Sequence, residues 1–333
     1  MSLLKNFCKC LAIILLTAAC EQKELCYDHE PHSHRAEYLL NLTFDCEWEY
    51  NLENHVDWQQ YWQEEYGIDY NDIRPREPEG VRVHIYDEDN KTETVRNLTK
   101  ENSTIRFIKE GHYDLLFYNN DTEYIVFSGL ETFASAYAST RGGKTRTSLM
   151  NAPDMLFGAY LDSLFVEKKP VPETMTVVLR PLVFTYLLRF EVSEGAELIQ
   201  QASGFLTGVA AGVSLSTGHT SEQEGMVAFE CDMKGDYGTQ SLVRCFGISD
   251  YPNPHYSRND VETNSKNEVY LEVALKNGKL QTFKFDITDQ MRKQPRGGVI
   301  LLNDIKIEEE PVNNGGFNVS VNGWGEDVNV SLN

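Results

Sequence analysis

A mainly β chain built as two tandem antiparallel β-sandwich domains, with one short helix in the first, is the fold class that three observations predict. Apolar and polar residues alternate with period two in many short runs, as half-buried strands require. Turn residues punctuate those runs at short intervals, and one segment alone carries helical spacing. Seventeen Tyr and sixteen Phe, with few Ala-rich stretches, favour sheet over helix. The 333 residues exceed one comfortable core, so two domains are expected.

The first strand begins the series. Tyr38, Leu40, Leu42, Phe44, Cys46 and Trp48 point one way, and Asn41, Thr43, Asp45 and Glu47 the other. The helix is expected near residues 57–66, with Asp57 as N-cap and Trp58, Tyr61, Trp62 and Tyr66 on one face. Those four aromatics read first as core over the sheet, and second as a glycan-binding platform. After the turn at Pro75 and Pro78, Val81, Val83 and Ile85 alternate with Arg82, His84 and Tyr86. Further runs lie near residues 104–108, 112–118 and 123–128, with Asn119, Asn120 and Asp121 as the turn between the last two. Residues 139–148 form an exposed basic loop that holds Arg141. Pro170 and Pro172 mark the boundary between the halves.

The second half repeats the pattern. Met175, Val177 and Leu179 alternate, and a longer run covers Leu182 to Val192. Arg189 within it places that strand near a sheet edge. Val227, Phe229 and Cys231 alternate, as do Val269, Leu271, Val273 and Leu275. A two-residue loop after Leu275 would set Leu271 opposite Lys284 and mix the faces. A three-residue loop of Lys276, Asn277 and Gly278 sets Leu271 opposite Phe283 and Val269 opposite Phe285, and is chosen on face parity. Two strands carrying Phe317, Val319 and Val321, then Val328, Val330 and Leu332, close the chain.

The N-terminus carries targeting chemistry. Lys5 and Lys9 precede a short apolar run from Leu11 to Leu16, and Thr17, Ala18 and Ala19 are the small residues before Cys20. That is a removable signal peptide, too short to span a bilayer. Cys20 directly after the small residues resembles a bacterial lipobox, so lipidation at Cys20 is expected, holding the chain on a membrane. The domains expected are therefore 1–19 signal peptide, 20–35 lipidated polar tether, 36–170 N-terminal sandwich and 171–333 C-terminal sandwich. Loss of the leader leaves 28 basic against 51 acidic residues, a balance of −23. That excess argues against nucleic acid and against electrostatic docking to anionic headgroups.

Four mature cysteines remain besides Cys20, in a compartment that permits disulfides. Cys231 with Cys245 across a hairpin, and Cys26 with Cys46, are candidate pairs; spacing cannot choose among the three connectivities. Cys26, His29, His32 and His34 are zinc-ligand types, but four within nine residues are cramped, and a polar linker is preferred to a metal site. The sequence holds no Gly-rich phosphate loop or nucleophile elbow. No enzyme and no cofactor is expected.

Longer motifs add a resemblance. They are Leu25-Cys26-Tyr27 with His29, Asp57-Trp58, Pro78-Glu79-Gly80-Val81, the run from Gly111 to Glu123, Cys245-Phe246-Gly247, Phe285 to Gln290, and Trp324. With these the chain resembles the fimbrillin-like (Mfa-like) lipoproteins of Bacteroidales across nearly its whole length. The resemblance implies two transthyretin-like sandwiches in an exported lipoprotein of the outer membrane, facing the cell surface. It implies other fimbrillin-like subunits as partners, joined by strand addition. Stalk subunits of that family polymerise after an Arg-directed protease removes the first strand. Here Arg141 is the cleavage candidate, far beyond that strand; Arg35 precedes it, and no arginine is expected at the boundary after it. The expected role is thus an anchor, tip or accessory subunit of an adhesive structure, the rival being a glycan-binding lipoprotein of a polysaccharide-uptake system.

Overall fold

The computed structural model describes residues 36–47 and 67–309, apart from 88–90, 100–101, 108, 142–148, 236 and 253–264, together with the strand backbone at 318–321 and 328–331. Among the described residues the first elements are β1 (Glu37–Phe44) and the four-residue helix α1 (Tyr70–Ile73). The hairpin of β2 (Val81–Tyr86) and β3 (Thr92–Leu98) follows, then β4 (Thr104–Arg106) and β5 (Gly111–Asn119). Three short strands, β6 (Ile125–Ser128), β7 (Tyr137–Thr140) and β8 (Leu149–Met150), precede β9 (Phe157–Val166) and β10 (Glu173–Pro181).

Seven of these strands make one sheet in the order β3-β2-β5-β9-β10-β1-β4. β9 and β10 share only two residue pairs, Gly158 with Arg180 and Phe157 with Pro181, and there the sheet folds over on itself. Tyr38, Leu40, Val177 and Leu179 from one limb thereby meet Val83, Ile85, Leu115 and Phe117 from the other in one buried cluster. The alternation in β1 is borne out over the described residues: Tyr38 and Leu40 are buried while Leu39 and Asn41 are exposed.

The second half contributes β11 (Phe184–Glu194), β12 (Ile199–Ala210), β13 (Gly212–Ser214), β14 (Glu224–Glu230), β15 (Asp232–Lys234) and β16 (Gly238–Cys245). It continues with β17 (Glu268–Leu275), β18 (Leu280–Asp286), α2 (Thr288–Lys293), β19 (Gly298–Lys306), β20 (Asn318–Val321) and β21 (Val328–Ser331). Two sheets, β15-β16-β11-β19 and β18-β17-β12-β14-β8, face each other across the largest core cluster, in which Tyr186, Leu188 and Phe190 pack towards Leu206, Val227 and Leu271. β20 and β21 pair with each other.

Several expectations hold, and the differences have physical causes. The β17–β18 hairpin has the three-residue loop, with Leu271 opposite Phe283 and Val269 opposite Phe285, and Gly278 takes the left-handed φ of 83°. The sheets are not wholly antiparallel: β1 runs parallel to β10, β19 to β11 and β8 to β14. These partners lie far apart in sequence, where a crossover rather than a hairpin brings strands together. Arg189 does not mark an edge, because β11 lies between β16 and β19. Its charge is met by Glu191 at 2.9 Å and by the Tyr237 ring, 4.0 Å from the guanidinium carbon. The helix expected at 57–66 falls outside the described residues. A helix in the second half, α2, was not expected; it buries only Met291, too little for a helical period to register.

The prolines at 170 and 172 precede the last strand of the first sheet, so that sheet reaches Pro181 rather than stopping at residue 170. Nor do the halves simply follow one another. A three-stranded sheet in the order β13-β7-β6 takes β13 from the second half, and Tyr86, Tyr118, Leu182, Val183, Ala210 and Phe246 form one buried cluster across the seam.

Candidate assembly surface

β1 pairs with β10 over seven residues and with β4 over three. Glu37, only 8% exposed, accepts from Arg106 Nε at 2.8 Å and ties the start of β1 to β4. Tyr38 meets Phe107 edge-on, and burial pushes its phenol pKa up. Withdrawing β1 would uncover Tyr38 and Leu40 and strip the β10 ladder of a partner on that side. At roughly 1.5–3 kcal/mol for each large apolar side chain, the strand is a structural member of this sheet.

Just past β1, Glu47 accepts a hydrogen bond from Tyr70 Oη at 2.8 Å. Tyr70 and Ile73 of α1 are buried on Leu187 and Val299, on the outer side of the β15-β16-β11-β19 sheet. Asp69 caps the helix, accepting from the Asn71 N–H at 2.8 Å. A segment belonging to the first half is thus seated on the second.

Arginines fall differently from the expectation. Arg74 and Arg76 lie between β1 and β2, both exposed, so the boundary after the first strand does hold arginine. α1 and its flanks carry no strand signal, so the strand pattern of the sequence does not mark this boundary. Arg141 is exposed at the end of β7, its N–H donating to Tyr124 O at 3.0 Å. Of the basic loop, Ser139 and Thr140 belong to β7, and 142–148 lie outside the described residues. A cut at Arg141 would fall between β7 and β8 and leave β1 in place.

The cysteine pairing across a hairpin is corrected. Cys231 and Cys245 are both free thiols. The β15–β16 ladder pairs Asp232 with Gln240, so Cys231 falls beside Ser241, whereas Cys245 ends that strand four residues on. That separation is about 13 Å along a strand, against the roughly 7 Å between Cα atoms that a disulfide tolerates. Burial pushes both thiols up to about 12, so neither is a nucleophile at neutral pH. Cys46 is half-buried; its proposed partner Cys26 lies outside the described residues. So do Cys20, the glycan-platform aromatics Trp58, Tyr61, Trp62 and Tyr66, and the ligand candidates His29, His32 and His34. Among the described residues no three His, Cys, Asp or Glu side chains gather as metal ligands would, and no helix is long and apolar enough to cross a membrane.

One buried group was missed by sequence reasoning. His84 on β2 is 6% exposed, stacks between Tyr86 and Tyr118, and shares a hydrogen bond with Tyr118 Oη at 2.9 Å. Burial, helped by nearby Arg82, lowers its pKa to about 4. The alternation had placed it on the polar side of β2, a side the seam cluster covers through Tyr86.

Comparison with known proteins places this architecture. A family model described as a domain of unknown function, DUF5119, matches residues 53–230. A Bacteroides ovatus protein provisionally named fimbrium anchoring subunit Fim4B is 24% identical over 294 residues, covering 80% of this chain and 88% of that protein. A crystal structure from Bacteroides ovatus, provisionally described as an adhesin, superposes with a TM-score of 0.56 at 19% identity, covering 86% of this chain and 97% of that one. A second Bacteroides ovatus structure with the same description gives 0.52 at 11% identity over 90% and 96%. The two-sandwich fold is shared with both.

Proposed function

The chain belongs to the DUF5119 family, and from that premise we propose that it is the anchoring subunit of a fimbria-like adhesive structure. It is held on the outer membrane by lipid at Cys20, faces the cell surface and has no catalytic role. The observation that carries the reading is the built-in first strand. β1 is bonded on both sides, with Tyr38 and Leu40 buried in the shared core. An anchor keeps the segment joining its lipid to its fold, whereas a polymerising stalk subunit discards it. The similarity to a protein named as a fimbrium anchoring subunit supports the same role. Partner subunits would dock by adding a strand to an open sheet edge, where backbone N–H and C=O groups provide affinity. Among the described residues the longer open edges include β3 in the first sheet and β19 and β18 in the second half.

Mass spectrometry of the protein from outer-membrane fractions tests this. The expected mature terminus is a lipid-modified Cys20. A terminus after Arg74, Arg76 or Arg141, or an unmodified Cys20, would overturn the anchored reading.

A further inference from the structure

A cavity of about 360 Å³ lies where α1 meets the outer side of the β15-β16-β11-β19 sheet. Among the described residues three arginines line it: Arg74 and Arg76 from the end of α1, and Arg244 from β16. Asp72 also lines it and meets Arg76 at 3.6 Å, leaving that pair neutral. Arg74 and Arg244 have no ion-pair or hydrogen-bond partner for their guanidinium groups among the described residues. In a chain with 51 acidic and 30 basic residues, two uncommitted guanidiniums at one cavity run against the general charge. The position is fixed by fold rather than by chance of a loop. Arg244 stands directly opposite Thr185 in the β11–β16 ladder, and Ile73, 3% exposed, seats α1 on Leu187 and Val299.

From these observations we infer that the cavity is a binding site for an acidic sugar, a uronic or sialic acid residue at the end of a glycan. The volume is near the lower end of small-ligand pockets, roughly 300–1,000 Å³, and suits one saccharide unit. A guanidinium presents a planar fork of donors that matches a carboxylate in two parallel hydrogen bonds. Leu242, 41% exposed, supplies an apolar surface of the kind that the unsubstituted face of a pyranose covers. Thr185 brings a hydroxyl to the same cavity. A protein partner would instead need a broad, flat patch, which a concave site of one-sugar volume does not offer. The site uses none of the edges proposed for assembly, so it stands or falls separately from the fimbrial reading.

The test is calorimetric titration of the full mature chain with N-acetylneuraminate, galacturonate and neutral galactose, alongside the R74Q/R244Q double variant. The expected result is binding of at least one acidic sugar, none of galactose, and a loss of about tenfold or more in the double variant, the usual cost of removing charged hydrogen bonds. R96Q, a change on the exposed face of β3, should leave binding as it was. All of these positions are solvent-exposed, and circular dichroism of each variant confirms its fold. Failure of both acidic sugars to bind would overturn the assignment. So would binding indifferent to R74Q/R244Q, equal binding of galactose, or capture of a poly-glutamate peptide without either sugar.

Discussion

The two sandwiches close by different means. The first is a single seven-stranded sheet folded at a corner only two residue pairs wide, with the N-terminal β1 forming part of the returning limb. The second sets two separate sheets face to face across the largest core cluster, and the C-terminal β20 and β21 pair with each other rather than with either sheet. The contrast teaches where each half is vulnerable. The first depends on β1, which sits parallel to a partner more than a hundred residues away. The second also rests on a long-range parallel pair, β11 with β19, but adds the local β17–β18 hairpin to its facing sheet. Loop-closure entropy grows only slowly with length, so both long-range closures cost about the same, and the difference between the halves lies in how their cores are enclosed.

The most damaging single change should strike the second sandwich. A Cβ at Gly204 would lie 2.0 Å from Tyr270 O and 2.7 Å from Phe229 Cζ, since β12 is squeezed between β17 and β14. Gly204→Val should therefore cost about 3 kcal/mol or more. Hydrogen exchange should show amides of β12 and β17 losing protection before those of β2 and β5. Equal loss in both halves would mean that the shared seam, not the separate cores, sets the cooperative unit.

A smaller effect is expected in the first sandwich. Leu40, 2% exposed, truncated to alanine should cost about 2–5 kcal/mol, with exchange rising first in β10. Unchanged protection at Thr174–Leu179 would show that β1 is dispensable and would remove the support for a retained strand.

The mildest perturbation is pH. The folded His84 has its pKa lowered to about 4 from an ordinary 6.5, so between these values the unfolded chain binds more protons than the folded one. The stability from keeping this imidazole neutral is fully present above about pH 6.5 and is lost as pH falls towards 4, on the order of 3 kcal/mol in all. Chemical denaturation across that window should show the loss, and His84→Phe should flatten it. An identical acid slope in the variant would assign the sensitivity to other groups.

Local pattern carried much of this fold. Face parity alone chose the three-residue loop at Lys276-Asn277-Gly278, because a slip of one residue moves every side chain to the wrong face. The alternation of β1, β2, β10, β14 and β17 was legible for the same reason. β12 was not, because Gly204 and Gly208 interrupt its apolar rhythm: one yields to a close neighbour, the other takes φ 73° where the register with β14 shifts. The arginine cavity left no sequence signal either, since Arg74 and Arg244 lie 170 positions apart and converge only through the docking of α1.

By itself, then, the sequence determined the strand class, the faces of individual strands, the register of the local hairpin and the expectation of a lipid-bearing Cys20. Those follow from periods and spacings within a few residues. Tertiary structure alone decided that β1 runs parallel to β10, that Cys231 and Cys245 stand too far apart along β16 to pair, that His84 is buried, and that the two halves share a sheet. Each of these depends on which distant segments share a surface, and that choice is made by burial of whole faces rather than by any neighbour in the chain.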